Sequence, residues 1–258
     1  MAVNVEGKKT KRIPLRLDWV LPLFIKPRKT TTEIVEQDRP VWLTPLLILS
    51  LLVIIASIVS GPIRQMEIQS GATLPENFQY YSEEEQQKFY EAQATQSSPV
   101  FLYVFPVLSG LLKIWISWFL LSSLLYLSLT LAGSRASSQK AYNLVAWSFL
   151  PWALRYLVQI VGMIASKSLI SSPGFSGFIS AEATGILLYA KSLLGLIDIY
   201  FLLQIALLFI GVLPLSGLTK RKAWIATAVS VLILLLLQGV PGLISSALGG
   251  LSLSGIYF

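Results

Sequence analysis

The chain has 258 residues, of which 54% are hydrophobic and only 13% charged, with a formal net charge of +7 and a mean hydropathy of +0.68. A soluble domain carries about a quarter of charged residues, so the missing charge and the long apolar runs predict an all-α, polytopic membrane protein. It contains no histidine and no cysteine, which excludes disulfides, thiolate metal sites, haem-ligating histidines and any His-dependent nucleophile.

Residues 1–40 form a basic tail with nine Lys and Arg residues. Its first twelve residues, MAVNVEGKKTKR, read as disordered and attracted to anionic headgroups. No cleavable signal peptide is expected, because Pro14, Asp18 and Pro22 break the stretch that follows. Residues 13–25, IPLRLDWVLPLFI, suit either an interfacial segment lying in the leaflet or a linker packed on the helical bundle. Thr30 and Glu33 have capping-box spacing and predict a short helix over 31–38, broken by Pro40.

Five apolar spans follow within residues 41–246, at about 41–63, 101–132, 141–165, 192–216 and 223–246. Between the first two lies an acidic insert, 64–100, with six glutamates. Ser82 and Glu85 predict a capped helix there, running to about Ala94. Phe78, Tyr80, Tyr81, Phe89 and Tyr90 give the insert an aromatic side. Those rings either rest on the membrane interface, which favours Tyr, or present a docking surface to a partner.

Sorting the basic residues by loop gives fourteen on the side of the N-terminus and four on the other. That bias predicts a cytoplasmic N-terminus and cytoplasmic basic turn Lys220-Arg221-Lys222. After five spans the tail 247–258, which is uncharged, lies extracytoplasmically. The same distribution argues against nucleic-acid binding, since the charges flank apolar spans instead of lining a soluble face. Membrane lipids are the expected surroundings. No cofactor is expected.

Lys113, Arg155 and Asp198 are the ionisable residues at membrane depth, where such groups are functional candidates. At about 1.5 Å per residue, Arg155 and Asp198 differ by roughly 6 Å in depth, within reach of an arginine side chain. An ion pair fixing helix register is one reading, and a cation or proton path is the other. Gln159, Gln204 and Gln238 fit either, as interhelical glue or as part of a polar network. Pro106, Pro151, Pro214 and Pro241 interrupt four spans and predict kinks. A lone carboxylate in the spans argues against an intramembrane aspartyl protease, and the chain is read as non-enzymatic.

Several stretches together resemble the Yip membrane family of Ypt/Rab-interacting proteins, in its prokaryotic branch. They are Pro27-Arg28-Lys29-Thr30-Thr31, Ala146-Trp147-Ser148-Phe149-Leu150-Pro151, Leu196-Ile197-Asp198-Ile199-Tyr200-Phe201, Ile210-Gly211, and Gly217 to Ala223 through the basic turn. The resemblance covers about residues 22–245. It departs at Tyr200 to Gln204, where many members carry a Trp. It implies five transmembrane helices, a cytoplasmic N-terminus, no catalysis and a multi-pass protein of a prokaryotic plasma membrane. Eukaryotic members are linked to Rab GTPases, for which a prokaryotic chain has no counterpart. Some bacterial members resemble accessory subunits of ABC exporters, which implies other membrane proteins as partners. A small transporter or channel using Lys113, Arg155 and Asp198 is the alternative.

Overall fold

The computed structural model describes residues 15–70, 78–170, 173–180 and 185–247, with side chains as far as 240. The expected disorder of residues 1–12 and nearly all of the tail 247–258 lie outside those residues. Every regular element among them is helical. A short turn at Leu17–Trp19 leads into α1 (Val20–Ile25) and α2 (Pro27–Val35). The spans are α3 (Leu43–Gln69), then α5 (Phe105–Leu131), then α6 (Ser138–Ser148) continued by α7 (Pro151–Ser166), then α9 (Ile199–Ser216) and α10 (Lys220–Ala247). The insert carries α4 (Glu83–Gln96), and α8 (Ile186–Leu196) precedes the fourth span. Five of these segments have the length and apolarity to cross a bilayer.

The third span is the centre of the bundle: 72% of its most apolar window is buried, more than in any other span. Leu144, Val145, Ala146 and Trp147 of α6 are fully enclosed. They pack among α2, α3, α5 and α9. Pro151 has no N–H to continue the helix, so the ladder tightens: the amides of Phe149 and Leu150 bond back to Ala146 and Trp147. Such three-residue spacing is the 3₁₀ pattern, and it interrupts the α-helix between α6 and α7. Pro62 and Pro214 instead sit within α3 and α9 without ending them.

Three boundaries differ from those the sequence suggests. The first short helix starts at Pro27, whose fixed φ suits the first helical position, so Thr30 lies inside it. The Thr30 hydroxyl accordingly donates to the carbonyl of Lys26 instead of capping an amide. Span one continues through Arg64 to Gln69, shortening the insert. Span four begins at Ile199, because Ile197 and Asp198 are extended and separate it from α8.

The chain entering span one is latched to the centre. The Asn143 side-chain oxygen accepts from the amide of Val41 at 3.0 Å, and its nitrogen donates to the carbonyl of Arg39 at 2.9 Å. Trp147 Nε1 donates to the Val41 carbonyl at 3.1 Å. Ahead of that latch, Trp19 and Leu23 are buried, with Trp19 edge-on to Trp147 at 5.6 Å. Leu15, Leu17, Leu21 and Ile25 of the same segment are exposed. The segment therefore packs one side on the bundle and leaves an apolar side uncovered.

Candidate functional site

Asp198 is the N-cap of α9, and its two carboxylate oxygens are used separately. Oδ1 accepts from the amide of Phe201 at 2.8 Å, while Oδ2 lies 3.1 Å from Nε of Arg155. A carboxylate at this position satisfies an orphan amide and faces the positive end of the helix dipole. Arg155 also donates from Nη2 to the carbonyl of Gly195 at 3.2 Å, and its guanidinium lies 5.1 Å from the Trp152 ring centre. Only 6% of Arg155 is exposed. The break before α9 thus brings Asp198 and the Gly195 carbonyl together to surround one buried cation.

Gly174 braces the break from the side. Its φ is +58°, and a Cβ there would stand 2.6 Å from the carbonyl oxygen of Ile197. Only glycine tolerates both the left-handed conformation and that approach.

Lys113, on α5, lines a cavity of about 20 Å³, room for about one water molecule. The lining also includes Ser117, Trp152, Tyr156, Gln204 and Gln238. Two hydrogen bonds tie its polar groups across helices: Trp152 Nε1 to Gln204 Oε1 at 2.6 Å, and Gln238 Nε2 to Ser117 Oγ at 2.7 Å. Gln159 is half-buried on α7. The structure therefore joins Arg155 and Asp198 in one pair and puts Lys113 in an adjoining, nearly filled pocket.

Lys220, Arg221 and Lys222 are exposed at the start of α10. The Lys220 ammonium lies 4.3 Å from the Trp224 ring centre. Gly217, at φ +63°, makes the left-handed turn that ends α9.

In the insert, the Glu85 amide donates to Ser82 Oγ at 3.3 Å, and the Ser82 amide donates to Glu85 Oε2 at 2.9 Å. The Ser82 amide and the Ser82 hydroxyl, which donates to the same Oε2 at 2.8 Å, hold the Glu85 carboxyl below its usual range. Phe78 packs against Phe89 at 4.9 Å and Tyr90 at 5.6 Å, so much of the aromatic side folds on itself. Tyr80 and Tyr90 remain exposed. Gln93 donates to the Ile68 carbonyl at 2.8 Å and ties α4 to the end of span one.

Asn143 carries no charge and stood outside the sequence-based candidates. Its signal was an amide within an apolar span, where an unpaired polar group is costly.

Four apolar helices packed about the third span, with buried side chains such as Trp152 and Gln204 or Ser117 and Gln238 bonded across helices, define a multi-pass integral membrane protein. A profile of the Yip1 domain family matches residues 22–240, from α1 into α10. The chain belongs to the Yip1 family. No curated protein and no solved structure matches it.

Within that match, each quoted motif has a local role. Pro27 starts α2, Pro151 starts α7, Asp198 caps α9, and Gly217 turns the chain toward α10. Gly211 lies against Leu144 so closely that any Cβ would collide with that side chain.

Proposed function

We propose that this Yip1-family chain is a non-enzymatic membrane scaffold: an accessory subunit of a membrane complex such as an ABC exporter, or a membrane-organising protein. In this reading it resides in a prokaryotic plasma membrane with its N-terminus and the Lys220–Lys222 turn in the cytoplasm. The observation that supports it is the use of Asp198, whose oxygens are spent on a helix cap and on Arg155. A carboxylate so engaged holds two helices in register and is poorly placed to release and rebind protons. The surfaces offered to partners are the exposed tyrosines of the insert, the uncovered apolar side of the N-terminal segment with Leu15, Leu17, Leu21 and Ile25, and the basic turn.

Affinity purification of the full chain from native membranes tests this. Recovery of a stoichiometric membrane-protein partner is expected. Recovery of the chain alone across several mild detergents would contradict it.

The Lys113 pocket favours a second reading, a small transporter or channel, because a cation and two glutamines converge there. That reading requires flux in proteoliposomes under a pH or ion gradient, abolished by Asp198→Asn.

A further inference from the structure

A second cleft, of about 440 Å³, opens on the side of the N-terminal segment and is lined by Asp38, Arg135, Lys140 and the stretch Pro214 to Gly217. Its location follows from the helix ends. Arg135 lies four residues beyond the end of α5, Gly217 directly follows α9, and Lys140 is in the first turn of α6. All three ends belong to membrane spans, so the cleft sits where hydrocarbon gives way to headgroups.

The cleft is preformed. The buried Ser134 hydroxyl donates to the Ser216 carbonyl at 2.7 Å and accepts from the Ala136 amide at 3.2 Å. Those bonds pin the loop between α5 and α6 to the end of α9.

Its charges point to an anion. Arg135 is exposed and makes no ion pair or hydrogen bond among the described residues. The Lys140 ammonium lies 3.3 Å from Asp38, whose side chain is 86% exposed. Together these three give the lining one net positive charge. The last carbonyls of α9 oppose an anion, so its binding needs both cations. A guanidinium holds phosphate oxygens through two parallel bonds. Basic pockets between spans at this depth suit phospholipid headgroups.

We propose that this cleft binds the phosphate ester of a membrane-lipid headgroup, held by Arg135 and Lys140, with Asp38 competing for Lys140. A phosphodiester carries one negative charge and matches the net charge of the lining. This assignment is independent of whether the chain is a scaffold or a transporter.

Native mass spectrometry of the full chain in a mild detergent tests it, with phosphatidylglycerol as the lipid probe and glycerol 3-phosphate as the soluble one. One phosphatidylglycerol is expected per chain. The Arg135→Ala/Lys140→Ala variant should bind it at least about tenfold more weakly, and Asp38→Asn should bind it more tightly. The triple variant Lys220→Gln/Arg221→Gln/Lys222→Gln should lose less than the cleft variant. Equal affinity in wild type and the cleft variant overturns the proposal, and so does an equal or larger loss in the triple variant. Weaker binding by Asp38→Asn, a variant of an exposed side chain that leaves the bundle intact, overturns it too. Binding of glycerol 3-phosphate in place of the lipid overturns the lipid assignment.

Discussion

Asp198 holds two structures together: its Oδ1 caps α9, and its Oδ2 pairs with an arginine that is almost wholly enclosed. Removing one partner of a buried pair leaves an uncompensated charge, which costs about 3–5 kcal/mol. Asp198→Ala loses both the cap and the pair, and it should lower the thermal midpoint of the detergent-solubilised chain more than Asp198→Asn, which retains an N-cap acceptor. Adding Arg155→Met to Asp198→Asn should recover part of the loss, since the stranded cation is gone. A double variant as destabilised as the sum of the two single changes would rule out direct coupling. The sequence made this pair legible through depth, because two oppositely charged residues stood within an arginine's reach. It did not show the cap. Asp198 lies inside an unbroken apolar run, and only the extended backbone at Ile197 and Asp198 turns it from a mid-span residue into a helix start.

Glu85 offers a titration. Its folded carboxyl is held below the usual range by Ser82, so the cap is fully present above the unfolded value of about 4.3. It is lost as pH falls through the lower folded value. Hydrogen exchange of peptides covering 82–96, corrected for intrinsic rates, should be flat from neutral pH and lose protection only in the acid range. Glu85→Ala should start less protected and show no such acid step. An identical acid step in Glu85→Ala would assign the transition elsewhere.

Among the elements, the third span governs the architecture, and its break and burial come from particular residues. Pro151 forces the 3₁₀ tightening, and Asn143 and Trp147 reach out to bind the chain that enters span one. Gly211 lets α9 lie against Leu144 of this span. Gly211→Ala should therefore destabilise the protein by about 1–3 kcal/mol through overpacking. Leu144→Ala in the same chain should relieve that cost, so the pair should be less damaged than the sum of the single variants. Additive losses in thermal unfolding would mean that the two helices do not meet there. The five spans were legible because their apolar length exceeds what a soluble core helix needs. Their ends were not, because a proline reads as a break in sequence whether it starts a helix, as at Pro151, or sits inside one, as at Pro214. The Ser82 cap is legible in sequence because an exposed helix has only local chemistry to set its start. The capping-box spacing of Thr30 and Glu33 is without effect because Pro27, three residues earlier, already begins the helix.

In the whole molecule, alternation of the spans places α4 on one side of the membrane and the Lys220–Lys222 turn on the other. The amide of Leu169, just past α7, lies 3.5 Å from a Glu67 carboxylate oxygen, as expected if spans one and three end on the same side. In the proposed orientation, which rests on the charge bias, the turn faces the cytoplasm. A membrane-impermeant amine reagent applied to intact cells should then label Lys88 and spare Lys220 and Lys222 until the membrane is opened. Labelling of the turn in intact cells would invert the orientation. Scaffolding is a claim about neighbours, and lysines on both faces make it measurable. Crosslinking mass spectrometry on native membranes with an amine-reactive reagent tests it most directly. The account predicts recurrent crosslinks from Lys88, or from Lys220 and Lys222, to one other membrane protein at a constant ratio to this chain. Crosslinks confined to this chain, with its helix neighbours reproduced and no partner captured on either face, would contradict it.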